Sequence, residues 1–196
     1  MSKYNVSVEG VSVEAVFNKL GGVEGSKLLL SDELVVVPKA PRASELLLDF
    51  TVRVDRSFVV LPSWADPSWL TQEFMGLQTT GPAEYNLRDD VEQWLHPDQP
   101  SVVRGDAIYK ALKHDNALTD QLGPADLLAI QAKGIAVFRK LFAGKAVFGW
   151  KSVVRSRVNR SLYVPYLYES GDKVVLDWFW LGNGWFSCDP ALRFRK

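Results

Sequence analysis

The spacing of apolar positions changes along the chain, and the change divides it into regions. Val13, Val16, Phe17 and Leu20 recur at helical spacing behind Ser12, an N-cap residue type, and Gly21-Gly22 closes that element. Residues 23–30 read as a second short helix. The run 34–37, closed by Pro38, reads as a strand. Residues 46–54 and 57–61 read as two strands joined tightly through Asp55-Arg56. Asp66 before Pro67 is an N-cap followed by proline at the first helical position, which predicts a helix to Phe74. The Pro-Ser-Trp unit at 62–64 recurs at 67–69, and its two tryptophans suit a plug at the end of a core. Residues 75–83 read as a loop, 84–95 as a short helix and 96–101, with two prolines, as a linker.

Beyond that linker, Asp106 predicts the cap of a helix with Ile108, Ala111 and Leu112 on one side. Gly123-Pro124 breaks the chain and restarts a helix. Leu128, Gln131, Ile135, Phe138 and Phe142 then form one stripe, with Lys133 and Lys140 off it, so a single helix to Phe142 is predicted. From Lys145 the period falls to two. Residues 146–158, 162–168, 173–181 and 185–188 read as four strands connected at 159–161, 169–172 and 182–184. The last connection contains Asn183-Gly184, the strongest short hairpin signal. The fold class is therefore α+β: an acidic N-terminal α/β region, a helical middle, and a C-terminal antiparallel β-meander or small barrel. Residues 1–100 and 101–196 are the two expected regions.

Composition narrows the classes. Over 196 residues, 47% are hydrophobic and 23% charged, which supports a conventional core and excludes a disordered chain. Cys188 is the single cysteine, so neither an intramolecular disulfide nor a multi-cysteine zinc site can form. The polar first ten residues and the shortness of every apolar run predict a cytoplasmic protein without a membrane segment.

Charge adds a feature that the zero net value hides. Residues 1–126 hold 11 Lys and Arg against 19 Asp and Glu; residues 127–196 hold 12 against 4. The chain is thus split into a half of −8 and a half of +8. Such asymmetry suits nucleic-acid binding by the basic half, and it equally suits docking of one half on the other or on an acidic protein.

Candidate chemistry is sparse. A thiol nucleophile would need Cys188 with His96 or His114, yet bulky residues flank Cys188 and no glycine shapes an oxyanion site beside it. No His-Glu-x-x-His or Asp/Glu-x-Lys pattern occurs, and Gly21–Lys27 lacks the Gly-Lys-Ser/Thr ending of a phosphate loop. No cofactor is expected. The constellation with most content is basic and aromatic: 13 of 23 aromatic residues lie between Phe138 and Phe194. Period two along the first C-terminal strand places Lys151, Arg155 and Arg157 on one face, with Arg160 in the following turn, Lys145 ahead of them, and Arg193 and Arg195 at the chain end. Tyr163, Tyr166, Tyr168, Trp178, Trp180 and Trp185 are candidate stacking rings. Cations on phosphate and rings on bases describe a non-catalytic nucleic-acid-binding module. An adaptor for an acidic protein partner, and a hydrolase using Cys188, are the alternatives.

Overall fold

The computed structural model describes residues 48–196, together with residues 7–8, 11–12, 18 and 23. The chain divides into two units, residues 1–47 and 48–196. In the first, β1 (Ser7–Val8) pairs antiparallel with β2 (Val11–Ser12). The helices expected at 13–20 and 23–30 and the strand expected at 34–37 lie almost wholly outside the described residues.

The second unit is mixed α+β and is organised by one long hairpin. β9 (Leu162–Ser170) and β10 (Lys173–Trp180) pair antiparallel along their whole length, and Gly171, at φ +58, makes the turn. Alternation gives this hairpin two apolar faces. Leu167, Val174 and Leu176 lie on one; Val164, Tyr166 and Phe179 lie on the other. Each face therefore needs a cover. On the first, Leu127 and Ile130 of α3 (Pro124–Ala132) and Phe138 and Phe142 of α4 (Ile135–Phe142) complete a core. On the second, Ile108 and Leu112 of α2 (Gly105–His114) join Phe148, Trp150 and Trp185.

The sheet runs β10-β9-β7-β12-β5, with β8 (Val154–Arg155) also on β9; β7 is Val147–Phe148, β12 Ala191–Phe194 and β5 Val91–Trp94. Since β12 runs parallel to β7, the sheet is mixed rather than a pure meander. β3 (Thr51–Arg53) pairs with β4 (Glu84–Asn86), and β6 (Val103–Arg104) with β11 (Gly184–Trp185).

Several sequence expectations are corrected. The predicted strand at 57–61 is absent, because Arg56 turns inward to Asp126 instead of starting a hairpin. Residues 84–95 contain two strands and not a helix, with Tyr85 and Val91 buried next to exposed Glu84 and Asp90. Asp66 caps only a short 3-10 turn, Pro67–Trp69, and the helix α1 (Gln72–Gln78) starts afresh from the Thr71 cap within the expected helix and runs on into the expected loop. The single helix to Phe142 is two, broken at Gly134 with φ +84, so Leu127 and not Leu128 faces the core. His96–Ser101 is a turn within the unit, where buried Gln99 donates from its amide to the carbonyls of Phe186 and Asp189. Finally, Asn183-Gly184 does not join β10 to a fourth meander strand. The chain leaves the hairpin there so that Trp185, fully buried, fills the core beside Trp150. Among the described residues no helix is long and apolar enough to cross a membrane.

Candidate functional site

The end of β8 and the turn into β9 carry three arginines, Arg155 in the strand and Arg157 and Arg160 in the turn, and the tryptophan-proline segment beside them decides what they do. Ala65 bridges Ser156, Asp66 N–H donates to Arg155 O, and Arg157 N–H donates to Trp64 O. This backbone docking places the Asp66 carboxylate under two guanidiniums. Arg155 Nε reaches Oδ2 at 3.0 Å and Arg160 Nη1 reaches the same oxygen at 2.5 Å. Arg160 gets there from a left-handed backbone, φ +61, in the hairpin turn. The other oxygen, Oδ1, accepts from Ser68 N–H and Ser68 Oγ–H. The Ser68 hydrogen bonds, with help from Arg155, hold the Asp66 carboxyl below the usual carboxylate range. Arg157 is exposed and has no side-chain partner among the described residues. Three cations against one carboxylate leave the hairpin with surplus positive charge.

Rings gather at the same end of the sheet. Tyr163, Trp178 and Trp180 share the face of Leu167 and Leu176, and Tyr163 lies directly opposite Trp180 in the register. Trp64 packs edge-on against Tyr163 at 4.9 Å and Trp178 at 5.9 Å. Asn159 Nδ2 donates to the Tyr163 hydroxyl at 3.1 Å, which ties the arginine turn to the ring row. Arg155 stands over the Trp69 ring at 5.0 Å, and Trp69 Nε1 donates to Val153 O. Trp69 also lines an open cleft of about 240 Å³ with Phe74, Tyr109 and Leu118.

The remaining predicted rings go elsewhere. Tyr166 and Tyr168 stack on the opposite face in line with Phe148, and burial beside Asp177 pushes the Tyr166 hydroxyl up to about 12. Trp185 is core.

Four predicted cations also fall outside the cluster. Lys151 does not share a face with Arg155 and Arg157. It sits in a turn ahead of β8 and is 2% exposed, its ammonium donating to Thr80 O at 3.0 Å. Burial lowers the Lys151 pKa to about 8, opposed in part by the Asp126 charge. Lys145 donates to Gln93 Oε1, Arg193 pairs with Glu92 at 2.6 Å, and Arg195 donates to the carbonyls of Val91 and Arg88. These three brace β12 and the neighbouring residues against β5.

Ion pairs account for much of the charge asymmetry. Lys133 with Asp49, Arg155 and Arg160 with Asp66, Arg193 with Glu92 and Lys196 with Asp120 each join the basic stretch to the acidic one within residues 48–196.

Sequence reading missed a buried polar network beside Lys151. Arg56 meets Asp126 at 2.5 Å, Tyr85 Oη–H donates to the same carboxylate, and Ser152 Oγ–H donates to Gln78. The readable signal was Asp126 three residues after Gly123, where its Oδ2 accepts from Gly123 N–H and closes the helix start.

The thiol and the two histidines each have a neighbouring carboxylate as partner. Cys188 is exposed, and desolvation followed by the charge of Asp189 raises its pKa. The imidazoles of His96 and His114 contact Asp98 and Asp115. No family model, curated protein or solved structure matches the chain.

Proposed function

We propose that this chain is a non-catalytic binding protein that contacts nucleic acid through the β8–β9 turn. One observation carries the reading: Arg155 and Arg160 share the single carboxylate of Asp66, with Arg157, exposed and unpaired among the described residues, between them in the chain, next to a row of aromatic residues on the same end of the sheet. Guanidinium forks suit phosphate oxygens, and a preset fork loses little freedom on binding. Arg157 and Arg160 make the contacts. Arg155, held to Asp66 and Ser68, positions the segment that carries Trp64 and Trp69.

The test is a fluorescence-polarisation titration with a labelled mixed-sequence single strand and its duplex, at low and moderate salt. Saturable binding that weakens steeply as salt rises is expected. The Arg157→Ala/Arg160→Ala double variant is expected to bind about tenfold more weakly, with a shallower salt dependence. Equal binding by the double variant, or no binding to either probe at low salt, overturns the reading and directs attention to an acidic protein partner.

A further inference from the structure

Resting on the nucleic-acid reading, we propose that the ligand is a single strand, and that an unpaired base stacks on the indole of Trp180, held flat by Gly182. Trp180 ends β10 and is 46% exposed, one of the few large apolar side chains so placed. It is anchored from below: a Cβ added at residue 182 would run into Cζ2, Cε2 and Cη2 of the Trp180 ring. The backbone of Gly182 therefore lies against the six-membered ring, an approach that only glycine permits. The turn is fixed by Asn183 N–H donating to Trp180 O and Leu181 N–H donating to Leu162 O.

No other ring packs on Trp180 among the described residues, whereas Trp64 already covers Tyr163 and Trp178. The ring thus lies against the Gly182 backbone and leaves nearly half of the residue's surface to solvent.

Charge complementarity identifies the occupant. Trp180 pairs with Tyr163, whose hydroxyl is held by Asn159 of the arginine turn, so the open ring lies one strand from the surplus positive charge of Arg157 and Arg160. A polyanion carrying flat apolar groups satisfies both. In a duplex the base faces are stacked on one another and cannot reach an indole; in a single strand they can.

The experiment compares wild type, Trp180→Ala, Trp180→Phe and Gly182→Ala in the polarisation assay, with tryptophan fluorescence recorded in parallel. Lys173→Ala, an exposed cation at the other end of the same hairpin, is the control. Expected are a preference of about tenfold for single strand over duplex, a loss of about tenfold for Trp180→Ala and Gly182→Ala, and retention for Trp180→Phe. Quenching of fluorescence by unlabelled single strand is expected in wild type and reduced in Trp180→Phe. Duplex bound as tightly as single strand, unchanged affinity in Trp180→Ala, or unchanged quenching in Trp180→Phe overturns the stacking inference while leaving the arginine contacts standing. Absence of binding to both probes overturns both.

Discussion

Two arginine–carboxylate clusters in this protein share their chemistry and differ in their surroundings. Arg56 and Asp126 are enclosed, with side chains 9% and 2% exposed, and Asp126 also accepts from Tyr85 and Gly123 while Arg56 also donates to Pro82 O. One cation meets one anion and the hydrogen-bonding groups around them are used. Around Asp66 two cations meet one anion, and Arg160 stays 62% exposed. The first arrangement is a fastening: it ties the segment after β3 to β4 and to the start of α3. The second leaves charge unspent at the surface, and only charge of that kind can be offered to a ligand. Exposed pairs contribute little to stability, whereas a buried charge stripped of its partner is severely destabilising.

The largest expected effect follows from that contrast. Asp126→Ala leaves Arg56 buried without a counter-charge and is expected to cost about 3–5 kcal/mol in urea unfolding. Arg160→Ala, by contrast, is expected to fall within about 1 kcal/mol of wild type. Equal losses in the two variants would mean that the Asp66 cluster is also a fastening, and the case for it as a binding surface would fail.

Why one cluster could be anticipated and the other could not is a matter of range. The Arg155–Arg160 turn is local: its residues lie within six positions and a strand pairing brings them together, so sequence placed Arg155, Arg157, Arg160 and Tyr163 in one region. Asp66 joins them from 89 residues away along the chain from Arg155, through a backbone bridge that no local pattern encodes. The same limit applies to Arg56 and Asp126, which are 70 residues apart. Lys151 was misplaced for another reason. Period-two reasoning assumes a continuous strand, but β8 is only Val154–Arg155, and the chain before it turns with Lys151 N–H bonded to Leu122 O. The hairpin β9–β10 was legible because its alternation is unbroken and its turn glycine is where it should be. The end of that hairpin was not, since burying Trp185 outweighs the local preference of Asn183-Gly184.

Lys151 gives the second prediction and tests whether the interior tolerates a charge for a structural reason. Its folded pKa, about 8, is below the ordinary lysine value of 10.5, so the unfolded chain holds the proton more tightly. Below that folded value both states are protonated and the buried ammonium destabilises the fold in full. Between it and the ordinary value the folded state alone gives up its proton, and stability rises with pH by up to about 3 kcal/mol from this group. Lys151→Met lacks the charge. It is expected to be about 2–3 kcal/mol more stable than wild type at about pH 7, with the difference shrinking towards about pH 10. Thr80 O, in an exposed residue, can take water in place of the ammonium. A constant difference across that range would show that the ammonium is better solvated than its burial implies.

The smallest expected effect is also the most direct on the surface cluster. Asp66 both orients Arg155 and Arg160 and cancels part of their charge, and these roles oppose each other in binding. Asp66→Asn retains an oxygen that can accept from Ser68 N–H, so the 3-10 turn keeps its cap, while the negative charge is removed. If surplus charge draws the ligand, single-strand affinity should rise by about three- to tenfold at low salt, and the gain should vanish as salt screens it. The salt dependence itself should steepen, because one more cation is available to displace counterions. A fall in affinity at every salt concentration would instead mean that the carboxylate acts chiefly by orienting the two guanidiniums. In that case the Asp66 cluster would resemble the Arg56–Asp126 pair more closely than its exposure implies.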